Sequence, residues 1–564
     1  MKSFLIAILI VFVFTSCGEK SSKRTDNDLN LSDEETDSDS IQDNETGDKS
    51  DAEKTDDGQI IDSENDHDLS DEVSDTETEV FTESDESSDI ENDENETPDA
   101  DDSGCIDEQT KTEPCGLNNN GLMPFICDEG LWVENGICAD PDVCIINETK
   151  TESGTVYICH SGQWKKTRQT FQTGTESDEF GTASVIDSSG NIFVAGYTNG
   201  DLDSNAGLGG YDVFLIKFDS DGNKLWTKLY GTNSYDSAVS LAIDTQNNVY
   251  IAGVTAGRFP GYYDGGGFAD VYVMKIDNDG TVQWTYQYEN KIPEEAASVA
   301  IDSSGNIYLS GNTSGAIGSN SNIGGYDTFL IKLNSSGTSV WIKQFGSSAD
   351  DYGKTVAVDS TDNIYVTGMT NGVFAGDSSL GMSDIFIIKF DINGNTLWRK
   401  QFGTAGNDET FSSVIDQSNN LFLTGSTNDI FTGETGIGAS DIFLTKFSSG
   451  GTQLWTDQFG TVADENGITL AVDNSSNIYL SGHTQGSFAG YINQGENDIL
   501  IAKYDNDGIN QWVKQFGSEF VDICYSIAVD NSENIYLSGS TAGSIDGITN
   551  AGSFDLFFSI IFAD

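Results

Sequence analysis

The sequence predicts an all-β protein whose larger part is a seven-bladed β-propeller, preceded by a disordered acidic tether and a small disulfide-rich module. Three observations predict it. From about residue 167 the chain repeats itself every 57 or 58 residues, seven times over. Each unit holds four apolar or alternating runs, the number of strands in a propeller blade. Gly is abundant at 61 and Pro scarce at 6, and Gly, Asn, Asp and Ser recur in clusters, as short strands joined by tight turns require.

The N-terminus sets the compartment. Met1-Lys2 is a short basic start, and Leu5 to Phe14 is an apolar run too short to span a bilayer and suited to a signal-peptide core. It ends in Phe14-Thr15-Ser16-Cys17, which resembles a bacterial lipobox, with Phe14 where Leu is usual. The resemblance implies lipidation of Cys17. Gly18 follows rather than Asp, which by the same analogy favours passage to the outer membrane over inner-membrane retention. The alternative is an ordinary signal peptide with an incidental Cys. The expected location is the bacterial cell envelope, lipid-anchored at the outer membrane and either periplasmic or surface-exposed. The membrane is met through the lipid alone.

Residues 18–103 carry 35 Asp or Glu against five Lys or Arg, and almost no large apolar residues. Such a stretch cannot bury enough surface to offset its ordering entropy, so disorder is predicted. A flexible chain of that length reaches roughly 50 Å, and self-repulsion extends it further. It reads as a tether, with a multivalent cation-binding tail as the alternative. Over the whole chain the net charge is −67, which excludes nucleic acid as a partner, because phosphate binding needs Lys and Arg. Cations, cationic peptides and neutral glycans remain, or the charge serves solubility alone.

Six cysteines follow in about 55 residues: Cys105, Cys115, Cys127, Cys138, Cys144 and Cys159. In an exported chain they imply three disulfides in a module too small for its own core. An internal echo, Cys127-x4-Trp132 and Cys159-x4-Trp164, suggests the pairs Cys115–Cys127 and Cys144–Cys159, leaving Cys105 with Cys138. Zinc would need CxxC-type spacing, which this cluster does not have. The chain thus divides into a lipoprotein signal peptide at 1–17, the tether at 18–103, the Cys-rich module at 104–166 and the propeller at 167–564.

One repeat unit reads Asp302-Ser303-Ser304-Gly305-Asn306-Ile307-Tyr308-Leu309-Ser310-Gly311-Asn312-Thr313. Its first Asp recurs at Asp187, Asp244, Asp302, Asp359, Asp416, Asp473 and Asp530, each followed by Asn four residues on and then by Gly-x-Thr. A strand-opening Asp recurs at Asp212, Asp270, Asp327, Asp384, Asp441, Asp498 and Asp555. These residues resemble the bacterial seven-bladed β-propeller repeat family, the SBBP repeat, whose unit carries an Asp-x-x-Gly-Asn-x-Tyr-x-x-Gly core. The resemblance covers about 400 residues and all seven units. It implies the fold and says little of function.

Phase predicts how the ring closes. Trp recurs at Trp226, Trp284, Trp341, Trp398, Trp455 and Trp512, always 18 residues before the next first Asp. The last unit therefore has no fourth strand, while Thr167 to Thr173 is a fourth strand with no blade before it. The two are predicted to pair, which protects edges that would otherwise aggregate.

Candidate sites are few. Asp219-Ser220-Asp221-Gly222, Asp277-Asn278-Asp279-Gly280 and Asp505-Asn506-Asp507-Gly508 resemble the starts of Ca²⁺ loops, but lack the downstream Glu and the helices, so they read as hairpin turns. Eight residues before each first Asp lies a carboxylate: Glu179, Asp236, Glu294, Asp351, Asp408, Glu465 and Asp522. These seven are candidates for a cation or ligand ring at the mouth of the central channel, with Ca²⁺ as the cofactor considered. Otherwise each fixes its own loop by accepting backbone N–H bonds. The connections between second and third strands are long and vary in sequence, so the face that carries them is the expected binding face. Of the three His, His67 falls in the tether, His160 in the Cys module and His483 in a blade, and none has a nucleophile partner in a recognisable motif. Cys524 reads as a buried filler.

No catalytic residues are assigned. The reading is a lipid-anchored, monomeric binding protein whose long-loop face engages a peptide, glycan, protein or cation. A carbohydrate-active hydrolase or lyase on a propeller scaffold and a structural envelope component are the alternatives.

Overall fold

The computed structural model describes residues 149–160, 163–262 and 269–563, together with the backbone of the strands Thr110–Cys115, Gly121–Asp128 and Leu131–Glu134. The signal peptide, Cys17 and the tether lie outside the described residues, and so do the predicted cysteine pairings. The three early strands form an antiparallel sheet in chain order, with Cys127 opposite Trp132. Among the described residues no helix is long and apolar enough to cross a membrane.

Seven antiparallel sheets follow. Six are four-stranded and continuous in chain: residues 179–230, 236–287, 294–345, 351–402, 408–459 and 465–516. We number these blades one to six. In blade three, the strands are Glu294–Ile301, Ile307–Thr313, Asp327–Leu333 and Ser339–Phe345. The first strands of neighbouring blades lie against one another all the way round, and the first strand of blade seven meets that of blade one. They are therefore innermost, and the ring has seven members.

Blade seven takes Asp522–Val529, Ile535–Thr541 and Asp555–Ile561 from the end of the chain and its fourth strand, Gln163–Thr173, from the beginning. Register runs from Leu556 opposite Thr173 to Ile561 opposite Arg168, and Phe562 N donates to Thr167 O at 3.0 Å. The ring is closed as the phase of the repeats predicts. The same strand pairs on its outer side with Thr155–His160, which pairs with Thr149–Glu152, so this sheet has six strands. The sheet thus runs on past residue 166 into the Cys-rich stretch.

Patterning explains the burial. Second and third strands are covered on both faces by neighbouring blades, so they are apolar on both sides, as in Asp384–Phe390 and Asp441–Phe447, where every residue is buried. Fourth strands are exposed at their start and only partly buried after it. Each first strand carries a bulge around its fourth residue, which adds local twist near the axis.

The Asp-x3-Asn segments are turns locked by their own side chains. Asp187 Oδ1 accepts from Ser189 N and Asn191 N, and Asn191 Nδ2 returns to Asp187 Oδ2 at 2.7 Å. The Asp-x-Asp-Gly segments are hairpin turns of the same kind: Asp505 Oδ1 accepts from Asp507 N and Ile509 N. In blade four the turn also holds a buried ion pair, Asp359 with Lys389 at 3.0 Å. Burial alone would raise the Asp359 carboxyl, but the bonds from Asn363, Thr361 and Lys389 outweigh it and hold the group at about 2.

Candidate binding face

The long connections between second and third strands share one face with the connections from each fourth strand to the next first strand. Backbone bonds tie the two together, as in Gly210 N to Ser234 O at 3.0 Å and Met382 N to Gly406 O at 3.0 Å. Parallel bridges pair Ser383 with Asn407, Ser440 with Asp464 and Asn497 with Val521.

In the described loops the strand-opening Asp organises this face. Its carboxylate reaches back along the loop and accepts the N–H four residues earlier: Asp212 from Leu208, Asp327 from Ile323 at 2.7 Å, Asp384 from Leu380 at 3.0 Å, Asp441 from Ile437 at 3.0 Å and Asp555 from Ala551 at 2.8 Å. A Gln on the fourth strand braces the same carboxylate. Gln344 Nε2 donates to Asp327 Oδ2 and to Gly315 O, while its Oε1 accepts from Ile317 N. Gln172, Gln287, Gln401, Gln458 and Gln515 repeat the arrangement. Blade one has Leu229 at that place and does without the brace. Sequence reasoning missed these glutamines, although Trp-x-x-Gln recurs in five units and was there to be seen.

The consequence is display. With its N–H pinned, the residue four before the Asp turns its side chain outward. Leu208, Ile323, Leu380 and Ile437 are each 51 to 54% exposed. Met382 and Ile492 on the same loops, and Val462 and Phe520 on the fourth-to-first connections, are exposed as well. Blades three to six thus present a crescent of apolar side chains, held on a rigid scaffold. Each side chain is held outward by its own loop rather than by contact with the core.

Nearer the axis the ring is asymmetric. On the side of blades one and two, Phe180 stacks on Tyr197 at 5.1 Å, and Tyr211 packs edge-on against Tyr197 at 5.5 Å and Tyr235 at 5.7 Å. Between blades three and four, Tyr326 lies 5.3 Å from Tyr352. Beside them Lys354 sits over the Phe411 ring at 5.7 Å and feels the charges of Glu409 and Glu295. Burial pushes the Lys354 ammonium below its ordinary range, against those two carboxylates.

The seven carboxylates at the start of the first strands are all fully buried. Their side chains are engaged within the protein. Glu465 accepts from Thr461 N at 2.7 Å, from Thr461 Oγ1 at 2.6 Å and from Thr484 Oγ1 at 2.8 Å. Glu179 does the same with Thr175 and Thr198. Asp236, Asp351, Asp408 and Asp522 accept from Thr232, Ser347, Thr404 and Ser518. The Thr of the Gly-x-Thr motif is thus a carboxylate clamp. Among the described residues no group of three or more His, Cys, Asp or Glu is arranged to hold a metal ion. His483 and Cys524 are both buried: His483 Nε2 lies 3.2 Å from Asn466 Nδ2, and burial pushes the Cys524 thiol up to about 12.

Glu294 departs from the pattern. Asn290 stands where its counterparts have Thr or Ser, and only its Nδ2 reaches the carboxylate, at 2.8 Å. Glu294 Oε2 is buried without a partner. Burial, with the nearby charge of Asp270, raises the carboxyl from 4.5 to about 8. Between those pH values the folded state keeps a proton that the unfolded state has released. The contribution of Glu294 to stability is therefore whole below the unfolded value and is lost as pH rises through the folded one. Glu294→Gln, which fixes the neutral form, is expected to raise stability by on the order of 2 kcal/mol near pH 9 and by little near pH 4. Urea midpoints at the two pH values test this, and an equal change at both would refute it.

Closed ring, blade topology and clamp define the class: this is a seven-bladed β-propeller. The SBBP family profile, described as "Beta-propeller repeat", matches five stretches: residues 182–203, 225–260, 340–375, 397–432 and 511–546. Two curated relatives are similar in sequence. An uncharacterized WD repeat-containing protein of Acanthamoeba polyphaga mimivirus is 22% identical, over 58% of this chain and 31% of that protein. The regulatory protein FlaEY of Caulobacter vibrioides is 25% identical, over 34% of this chain and 22% of that protein. The chain thus spans about a third or less of the length of these relatives. Among solved structures, the polysaccharide lyase Uly1 aligns at 13% identity with a TM-score of 0.40, covering 68% of this chain and 90% of that one. The Neurospora crassa Pan2 WD40 domain aligns at 8% identity with a TM-score of 0.40, covering 69% and 90%.

Proposed function

We propose that this protein is a binding propeller of the bacterial envelope, anchored by lipid at Cys17, spaced from the membrane by its acidic tether, and taking up an apolar peptide segment of a partner protein on its long-loop face. The observation that carries this reading is the crescent of pinned aliphatic side chains at Ile323, Leu380, Met382 and Ile437, whose exposure has no role in the propeller's own packing. An extended or helical segment with apolar residues on one side would bury them, and the rigid loops would pay little ordering entropy on binding. The strongly negative chain would also draw in a partner with basic residues around that apolar core.

Selection of displayed peptides against the purified chain tests the reading. The expected result is enrichment of apolar peptides with flanking Lys or Arg that bind at least ten-fold more weakly to the Leu380→Glu/Ile437→Glu variant. Failure to enrich any peptide, or equal binding to the variant, would overturn it. A second reading, a glycan held at Tyr211, is favoured by the aromatic cluster on the other side of the axis, because sugar rings pack on aromatic faces. A glycan array run with Tyr211→Ala alongside distinguishes the two.

A further inference from the structure

The face opposite the long loops repeats a different contact. In blades two to six the hairpin turn between third and fourth strands rests on the preceding blade, in a seat built from a second-strand aromatic ring, a third-strand Lys and a fourth-strand Trp. The chemistry of the seat recurs, although Lys275 of blade two pairs with Asp244 instead. Lys Nζ lies over the ring, at 4.6 Å for Lys389 on Tyr365 and 5.0 Å for Lys446 on Phe422. It donates to the carbonyl of the turn's second residue: Lys332 to Ile392 O at 3.0 Å, Lys389 to Ser449 O at 3.2 Å and Lys446 to Asn506 O at 3.0 Å. The indole joins the same carbonyl, Trp398 Nε1 to Ser449 O at 3.1 Å and Trp455 Nε1 to Asn506 O at 3.3 Å.

The fourth residue of the turn is Gly with positive φ, +80° at Gly337, +84° at Gly451 and +85° at Gly508. It lies flat on the Trp. A β-carbon at Gly337 would come within 2.7 Å of Trp284, and one at Gly508 within 2.8 Å of Trp455. Each seat therefore selects a turn that begins with an Asx-type acceptor, offers a free carbonyl at its second residue and has Gly at its fourth. The turn of blade one rests on blade seven in a different seat, with Ile560 and Gln169 in place of the Lys and Trp, where Gly222 packs on Phe171 and Ile560.

The seat on blade six differs again. Blade seven takes its fourth strand from the start of the chain, so no hairpin turn follows Asp555–Ile561 to cover blade six. The three seat groups are all present there: Tyr479, Lys503 and Trp512, with Lys503 Nζ at 5.1 Å over the Tyr479 ring. In the absence of a turn carbonyl, Lys503 Nζ pairs with Glu533 at 2.8 Å, and Glu533 occupies a position filled by Gly, Asn, Asp or Ser in the other blades. Together with Lys514, Asn531 and Phe562 they line a cavity of about 400 Å³. Ring closure by strand exchange thus leaves a receptor for a turn, shaped by the same kinds of side chain that seat five turns elsewhere in the molecule.

We infer that this seat is a second binding site, independent of the long-loop face, and that its ligand is a reverse turn of the Asp-x-x-Gly type on a partner polypeptide. Lys503 and Trp512 would hold the turn's second carbonyl, and the Trp512 ring would require Gly at its fourth position. The occupant is defined by the five seats already filled, which accept Asp, Asn or Ser first and Gly fourth without exception.

A cyclised hairpin peptide with the turn Asp505-Asn506-Asp507-Gly508 is the probe, titrated into the full chain by calorimetry, with a second peptide carrying Ala in place of the turn Gly. The expected result is one site per chain, weakened at least ten-fold by the Ala peptide and at least ten-fold by Trp512→Ala. Lys503→Met retains the side-chain stem, should fold if Trp512→Ala does not, and is expected to weaken binding several-fold. No binding at millimolar peptide, equal binding of the Gly and Ala peptides, or undiminished binding to both variants would overturn the assignment. Loss of binding at Leu380→Glu/Ile437→Glu would place the peptide on the other face and would also overturn it.

Discussion

A chain begun at residue 174 is expected to lose its cooperative fold, although it retains all seven repeats. The strand Asp555–Ile561 is buried at every residue, and one of its two edges is paired by Gln163–Thr173. Without it Phe558 and Ile560 would face water along an unpaired edge, the arrangement that invites pairing with a second chain. The lost contacts are specific. Phe171 lies 5.9 Å from Phe558 and 6.0 Å from Phe218. The Arg168 guanidinium lies over the Phe516 ring at 3.9 Å, and its Nε donates to Asp546 Oδ2 at 2.9 Å, so this one strand ties blade seven to blade six and to its own long loop. Size-exclusion chromatography is expected to show the shortened chain as aggregate, and calorimetry to show no single unfolding transition. In the full chain, Phe171→Ala leaves the ring closed but opens a partial cavity, with an expected loss of about 2–3 kcal/mol. A monomeric shortened chain melting with the intact protein would end the argument that closure stabilises the ring.

Blade number, strand order and the exchanged strand were legible because a propeller repeats in sequence what it repeats in space: seven in-phase Asp residues, six in-phase Trp residues and one displaced strand leave a single way to close the circle. Side-chain direction was not legible to the same degree. The spacing placed Glu465 and its six counterparts at the start of the first strands, where they lie. It did not say that Thr461 and Thr484 would turn each carboxylate into the protein, because that depends on a contact 19 residues away across a strand pair. Leu380 and Ile437 read in sequence as ordinary apolar residues of a loop. Only the bond from each N–H to an Asp four residues on turns them outward. The seat on blade six is hidden for a related reason. The missing fourth strand can be counted, but that a turn disappears with it, and that Trp512 stands under the place of that turn, requires knowing which blade each turn rests on.

Gly425→Ala should be among the most damaging single substitutions in the molecule, and its physical cause differs from the usual one for glycine. Gly425 is in extended backbone on the second strand of blade five, opposite Thr410, where the first strand bulges toward it between Thr410 and Ser412. A β-carbon there would lie 1.8 Å from Glu409 O and 2.8 Å from Thr410 Cα. Both are backbone atoms of a strand packed against the axis, so no side-chain rotation relieves the contact, and the ladder itself must part. The expected loss is at least about 3 kcal/mol, the upper part of the range for overpacking. Gly433 supplies the comparison. It sits in a long loop with φ of +97°, and nothing lies within 4 Å of the β-carbon that Ala would add. Gly433→Ala meets only the strain of a left-handed backbone, about 1–2 kcal/mol. Guanidinium midpoints of the two variants separate these causes. Equal losses would mean that the Gly of Gly-x-Thr is kept for conformation rather than space, and that the bulge beneath it can relax. The expected order, Gly425→Ala far below Gly433→Ala, instead makes the close approach of first and second strands the constraint that fixes this glycine in all seven blades.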